Sequence, residues 1–367
     1  MKRTIPPFRA DHVGSLLRSA PLRDARAKRA AGTITAEQLK TIEDAEIIKI
    51  IDKQEALGLD SITDGEFRRS WWHYDFLGGL DGVDLREHSH GIQFSGVVTK
   101  AEAPFVHGKL GSKHHAQIAH FEFLKAHTKK TPKMTVPSPS MLHYRGGRKM
   151  IDATVYPTMD EFYHDLGQAY GQAVKGFYDA GCRYLQLDDC SFAYLCDTAQ
   201  REMLSARGDD PDKQGEIYAG MINAAIDNRP KDMVITTHVC RGNFRSTFVA
   251  SGGYERVADL LFNRVNVDGY FLEWDNERSG GFEPLRFLPK GKHVVLGLIT
   301  SKTGELETKD QLKRRIDEAT KFVSLDQLCL SPQCGFASTE EGNTLTEDQQ
   351  WAKLSLAVEL SQEIWGK

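Results

Sequence analysis

The stretch Met233-Val-Ile-Thr-Thr-His238-Val-Cys240 decides how the rest of the chain is read. It begins as a short apolar run and ends on an imidazole and a thiol two residues apart. Runs of four to eight residues like this one recur along the chain, each followed by a polar or glycine-rich segment and then a helical pattern. That alternation marks a parallel sheet with crossover helices. Working outward from 233–238, we read runs at 184–187, 134–137, 59–64 and 12–16 on one side. On the other side lie 269–273, 293–299 and 327–331. Eight strands with intervening helices predict an α/β fold, a single (β/α)8 TIM barrel over 1–367, rather than an open doubly wound sheet.

The helices between the runs have recognisable starts. Thr158 and Glu161 are expected to form a capping box before an apolar face of Leu166, Tyr170, Val174 and Phe177. Thr308 with Gln311 precedes Leu312, Ile316, Ala319 and Val323, and Thr346 with Gln349 opens the last helix. Ile47, Ile48 and Ile51 mark another helix, ending at Gly58. Two regions fall outside the repeat. Residues 18–40 read as an N-terminal helical arm with its own cap at Thr35 and Gln38. Residues of about 80–131 read as an insertion after the second strand, a hairpin and a helix, from the alternation of Ile92, Phe94, Val97 and Val98. Its histidines, His107, His114, His115 and His120, stand among Lys and Gly and are read as solvated surface rather than a metal site.

A net charge of −4 supplies no positive field, which argues against nucleic-acid and anionic-membrane partners. No apolar run approaches the roughly 20 residues of a membrane span, and residues 1–7 contain no signal-peptide core. Six cysteines without a regular framework suit a reducing compartment. A cytoplasmic enzyme is expected.

In a β/α barrel, chemistry sits at the carboxyl ends of the strands. His238 and Cys240 project to one side of an extended backbone, because side chains alternate. Glu273 closes the sixth run, and Cys334 follows the eighth in Ser331-Pro-Gln-Cys334-Gly-Phe336. One nitrogen, one oxygen and two sulfurs suit zinc. A lone His-x-Cys would more often be core, and Cys182 and Cys329, inside apolar runs, are read as small hydrophobes. A rival set, Asp188, Asp189, Cys190 and Cys196, follows the fourth run. Its adjacent aspartates alternate in direction and do not readily share one ion.

Two thiolates and a carboxylate with a neutral imidazole would give a zinc site a net charge of −1. Such zinc polarises water modestly but deprotonates a coordinated thiol, and the thiolate is the sulfur nucleophile. The pattern therefore points to alkylation of sulfur rather than hydrolysis. Gly14 and Ser15 offer backbone N–H groups for a carboxylate, while Glu66 and Asp188 offer anions for an ammonium. Together they describe a pocket for an amino acid that carries a thiol. Trp71, Trp72 and Tyr74 read as exposed aromatics, for a subunit contact in an oligomer or for a pocket wall.

The segments Asp11-His12-Val-Gly14-Ser15, Asp64-Gly-Glu66, Leu185-Gln-Leu-Asp188, His238-Val-Cys240, Glu273 and Cys334 occur in one order. In that order the chain resembles, over nearly its whole length, the catalytic barrel of cobalamin-independent methionine synthase. Short single-barrel relatives share the stretch Gly-Gly-Phe-Glu-Pro-Leu-Arg-Phe-Leu-Pro-Lys at 280–290. The resemblance implies zinc on His238, Cys240, Glu273 and Cys334. It implies the homocysteine carboxylate at Gly14 and Ser15 and its ammonium at Glu66 and Asp188. The methyl donor would be methylfolate or a methylcorrinoid protein. The superfamily also holds a zinc-dependent epoxide:thiol transferase and the metal-free uroporphyrinogen decarboxylase, which are the alternative readings.

Two departures bear on the donor. The full-length synthase has a second, N-terminal barrel that helps bind folate, and 367 residues leave no room for one. The family's catalytic histidine lies after the seventh strand, where this chain reads Leu298-Ile-Thr-Ser-Lys302. Lys302 and His12 are the candidates for a catalytic proton donor in its place.

Overall fold

The computed structural model describes residues 3–87, 91–99 and 102–366, and the apolar runs appear in it as strands in chain order. β1 (Ser61–Ile62) is followed by β2 (Asp81–Glu87), β3 (Gln93–Phe94), β4 (Val97–Val98) and β5 (Glu102–Gly111), which form an excursion from the barrel. β6 (Thr131–Pro132) and β7 (Met134–Pro137) re-enter it. β8 (Tyr184–Asp189), β9 (Val234–Val239), β10 (Gly269–Glu273), β11 (His293–Ile299) and β12 (Leu328–Pro332) follow. β7 to β12 form one parallel sheet in sequential order. β1 pairs with β6 in parallel, and Ala10 forms a parallel bridge to Leu330 of β12. With β6 and β7 counted as one, eight positions surround the axis, and the fold is a TIM barrel.

The two ends of the sheet meet through side chains as much as through backbone. Asp11 N donates to Leu330 O at 3.0 Å and Leu16 N to Gly65 O at 3.0 Å. Between these, the Asp11 carboxylate accepts from Ser61 Oγ at 2.8 Å, from Tyr184 OH at 2.9 Å and from Lys133 Nζ at 3.2 Å. Asp11 and Lys133 are fully buried. This polar network does the work of a ladder, so the first expected strand, 12–16, is reduced to the bridge at Ala10 and the second, 59–64, to Ser61–Ile62. A layer of Val13, Phe271, Val295 and Cys329 fills the barrel interior.

The outer helices bury the faces expected of them. Helix Met159–Asp179 encloses Phe162, Leu166, Tyr170, Val174 and Phe177. Thr308/Gln311 and Thr346/Gln349 form reciprocal capping boxes, whereas Thr158 caps Glu161 N without the return bond. Thr35 and Gln38 also form a box, but it opens the 22-residue helix Ala36–Leu57 that carries Ile47 and Ile51. The arm is therefore a helix at Ala20–Ala30, capped by Ser19, plus the start of this longer one. Gly58 ends the latter in the left-handed region, φ 90°. Among the described residues no helix is long and apolar enough to cross a membrane.

The insertion contains the antiparallel pair β2–β5, the small pair β3–β4 and the helix Gln117–His127. Its histidines divide. His107 and His114 are exposed. His115 is not surface: it is buried, stacks on Phe76 at 4.1 Å and meets Phe76 O through Nε2 at 2.9 Å. Trp71 and Tyr74 are likewise buried, packed with Phe94 and Phe244, because the β3–β4 tip folds back over the barrel mouth. Ser95 N donates to Phe248 O at 3.0 Å across this contact.

Candidate metal centre and substrate cavity

β9 ends on His238-Val239, and the loop after it carries Cys240. β10 ends on Glu273, and Cys334 lies just past β12. Parallel strands in register bring these ends to one height on one side of the mouth. The ligand atoms of His238, Cys240, Glu273 and Cys334 all lie within 4.8 Å of one another, and all four residues are buried. The two sulfurs are 3.6 Å apart. Tetrahedral zinc with bonds to sulfur of about 2.3 Å would hold two sulfurs about 3.8 Å apart, so the spacing fits such an ion. Among the described residues neither buried ring nitrogen of His238 has a hydrogen-bond partner of normal geometry, which leaves the imidazole open to a ligand. The donor set fits zinc by chemistry and by spacing.

Neighbouring groups hold the four in place. Gly242 N donates to Cys240 Sγ at 3.3 Å. Glu273 Oε1 accepts from Arg241 N at 2.8 Å and Oε2 from Arg278 Nη2 at 2.8 Å. Burial pushes the Glu273 carboxyl up, but Arg278, Lys302 and His238 outweigh it and hold it below the ordinary value. Cys240 is pushed well up, first by its contact with Cys190 and then by burial. Cys334 is pushed up by Cys240 and by burial. Without a cation the pair is held protonated, and a cation among the four reverses that preference.

His238, Cys240 and Cys334 of this centre line a cavity at the barrel mouth. Ser15, Glu66 and Asp188 line it as well. Glu66 has φ 59° immediately after Gly65 at φ 63°, two successive left-handed residues that turn its carboxylate inward. Thr135 Oγ1 donates to Glu66 Oε1 at 2.5 Å, and Arg69 pairs with Oε2. Asp188 Oδ1 accepts from Gln186 Nε2 at 2.7 Å. Burial raises the Asp188 carboxyl to about 6, against the pull of Arg69. Asp189 points the other way and accepts from Ser191 Oγ at 2.7 Å and Phe192 N at 3.1 Å. The rival set thus splits: Asp188 and Cys190 line the cavity, with Cys190 against Cys240, while Asp189 and Cys196 do not. Cys182 and Cys329 are buried elsewhere, and burial raises each to about 12.

The expected proton donors are not on the cavity. Lys302 Nζ donates to Thr247 O at 2.8 Å and to Gly242 O and Asn243 Oδ1 at 3.2 Å each. It braces the 242–247 loop, which contains the left-handed residues Gly242, Arg245 and Ser246. His12 is buried, its Nε2 facing Ser61 O at 3.3 Å, and burial beside Lys133 lowers its pKa to about 4. Residues that sequence reasoning passed over are Arg69, Arg145, Tyr194 and Asn243 on the cavity and Arg278 behind Glu273. Arg69 had a signal, three residues after Glu66 in a segment already singled out.

A family model described as the catalytic domain of cobalamin-independent synthase matches residues 8–362. YxjH of Bacillus subtilis, a protein of uncharacterised activity, is 56% identical over 99% of this chain and 96% of its own length. A Listeria monocytogenes protein crystallised as a candidate vitamin-B12-independent methionine synthase aligns with a TM-score of 0.81 and 43% identity, both chains covered in full. The 5-methyltetrahydropteroyltriglutamate–homocysteine methyltransferase of Bacillus velezensis is 24% identical over 93% of this chain, which spans only 41% of that enzyme. With a family match over nearly all of its length, the chain belongs to the cobalamin-independent synthase catalytic-domain family.

Proposed function

We propose that the chain transfers a methyl group to the sulfur of homocysteine, forming methionine, with zinc held by His238, Cys240, Glu273 and Cys334. One observation carries this reading: two thiols and an imidazole, clustered with the Glu273 carboxylate, line the cavity that also presents Ser15, Glu66 and Asp188. It favours a metal enzyme over a metal-free decarboxylase-like barrel. Bound there, zinc supplies a soft Lewis acid that favours the thiolate form of a substrate thiol.

The protein's residues supply binding and orientation. Gly14 and Ser15 meet the amino-acid carboxylate, and Glu66 with Asp188 holds the ammonium by charge-assisted hydrogen bonds. Arg69 neutralises part of that acidic pair and keeps Glu66 aimed at the cavity. Trp72 and Phe94 line the outer wall and keep water from the sulfur. Holding acceptor and donor in line is worth a large part of such a barrier. Lys302 and His12 are assigned to bracing the loop and the barrel, not to proton transfer. A reducing cytoplasm suits a site built on free thiols.

The test is methionine formation by zinc-loaded protein given homocysteine with methyltetrahydrofolate, methylcobalamin or a methylsulfonium. Turnover with at least one donor, lost in Cys240→Ser, supports the reading. Methylation or alkylation of a different thiol, with homocysteine inert, overturns it.

A further inference from the structure

Among the described residues, one cation on the cavity, Arg145, has no anionic partner. Arg145 follows the short helix Ser140–Tyr144 beyond β7 and lines the cavity. Its Nε donates to His73 Nε2 at 3.2 Å. The His73 ring sits between Trp72 and Tyr74, at 4.4 and 4.1 Å, and burial beside Arg145 and Arg69 keeps it neutral. Among the described residues no carboxylate comes within ion-pair distance of Arg145, whereas Arg69 has Glu66 and Arg278 has Glu273. Among the described residues its terminal nitrogens have no acceptor, and they are not sealed off from the cavity. A guanidinium keeps its proton and presents a fork suited to a carboxylate.

The surrounding wall is aromatic, formed by Trp72, Phe94 and Tyr194. Aromatic faces attract onium groups. Arg145 lies within electrostatic reach of Cys190, and Cys190 touches Cys240, so the unpaired cation stands close to the sulfur centre.

We propose that Arg145 binds a carboxylate on the methyl donor, and that this donor is a small sulfonium carboxylate whose charged sulfur lies against Trp72, Phe94 and Tyr194. The inference rests on the methyltransferase reading above and names its second substrate class. The homocysteine thiol gives its proton to solvent before transfer. A lone pair of the thiolate forms the new S–CH3 bond, and the donor's CH3–S bond breaks with its electron pair staying on the donor sulfur. The donor leaves as a thioether carboxylate, its sulfur now neutral and its carboxylate still charged. Nothing is oxidised or reduced, and the leaving group takes no proton. That matches a wall whose guanidiniums hold their protons and whose Tyr194 hydroxyl is kept protonated by burial.

The experiment gives zinc-loaded protein homocysteine with four donors in parallel: dimethylsulfonioacetate, trimethylsulfonium, methylcobalamin and methyltetrahydrofolate. The expected kcat/KM for dimethylsulfonioacetate is about tenfold or more above that for trimethylsulfonium, the gain of one charge-assisted contact. Arg145→Met removes that preference by raising KM, and Arg145→Lys restores part of it. Calorimetry with glycine betaine, an onium carboxylate with a poor leaving group, reads the same loss of binding in Arg145→Met without turnover. Methionine from methylcobalamin or methyltetrahydrofolate but not from either sulfonium overturns the inference and leaves the methyltransferase reading standing. So does a preference that survives in Arg145→Met, or an equal loss across all donors. No methionine from any donor, at full zinc, overturns both.

Discussion

Gly14 has no side chain at the one place where a Cβ would strike the Glu66 carboxylate. An added Cβ would lie 2.7 Å from Glu66 Oε1 and 2.8 Å from Thr135 Cγ2, at a backbone φ of 141°. The residue proposed to offer its backbone to a carboxylate thus also makes space for the group proposed to hold the ammonium. Gly14→Ala should raise KM for homocysteine at least about tenfold, the scale of one lost charge-assisted hydrogen bond, with a smaller effect on kcat. Steady-state kinetics checks this. An unchanged KM would detach Glu66 from amino-acid binding.

The proposed metal centre predicts about one zinc per chain in protein purified without chelator. Cys240→Ser and Cys334→Ser should each lose most of it, because each removes a thiolate from a set of four. Cys182→Ser, remote from the cavity, should retain full occupancy. Elemental analysis decides. Less than a tenth of an equivalent, not restored by added zinc, would contradict the assignment.

The role proposed for Asp188 predicts a pH dependence of the thiol response. Burial raises its carboxyl to about 6, so it is charged above that pH and becomes neutral as pH falls through it. The neutral acid cannot pair with an ammonium, so KM for homocysteine should rise below about pH 6 and level off above pH 7. Asp188→Asn should show the higher KM at every pH and lose the limb. Zinc content measured at each pH separates this from metal loss. A limb that persists in Asp188→Asn would assign it to another group.

The buried pair at the base of the barrel predicts a stability effect. Lys133→Met leaves the Asp11 carboxylate without its cation at a fully buried position. Breaking such a pair on one side costs about 3–5 kcal/mol, read as a lower denaturant midpoint. A change under about 1 kcal/mol would mean that Ser61 and Tyr184 alone satisfy Asp11.

Much of this was legible along the chain, and the exceptions have physical causes. The runs at 269–273 and 293–299 coincide with β10 and β11, and 233–238 lies one residue from β9, because continuous apolar patterning is what a fully enclosed parallel strand requires. The first two strands were not readable with the same accuracy, since side chains gathered on Asp11 replace their ladder, and no local pattern encodes a tertiary network. The four cluster residues could be found because the barrel topology says where strand ends go. Lys302 could not be placed: its sequence position suggested the reacting atoms, whereas its ammonium is used up by the loop at 242–247. Arg145 left no trace, because its significance is the absence of a carboxylate nearby, a property of the folded cavity.

The claim on which the rest depends is that the homocysteine sulfur meets a metal ion held by His238, Cys240, Glu273 and Cys334. X-ray absorption at the zinc edge of the loaded protein, with and without saturating homocysteine, tests it most directly. The account predicts two sulfur scatterers in the free protein and a third when the thiol is added. A sulfur count that stays at two under saturating homocysteine would contradict it.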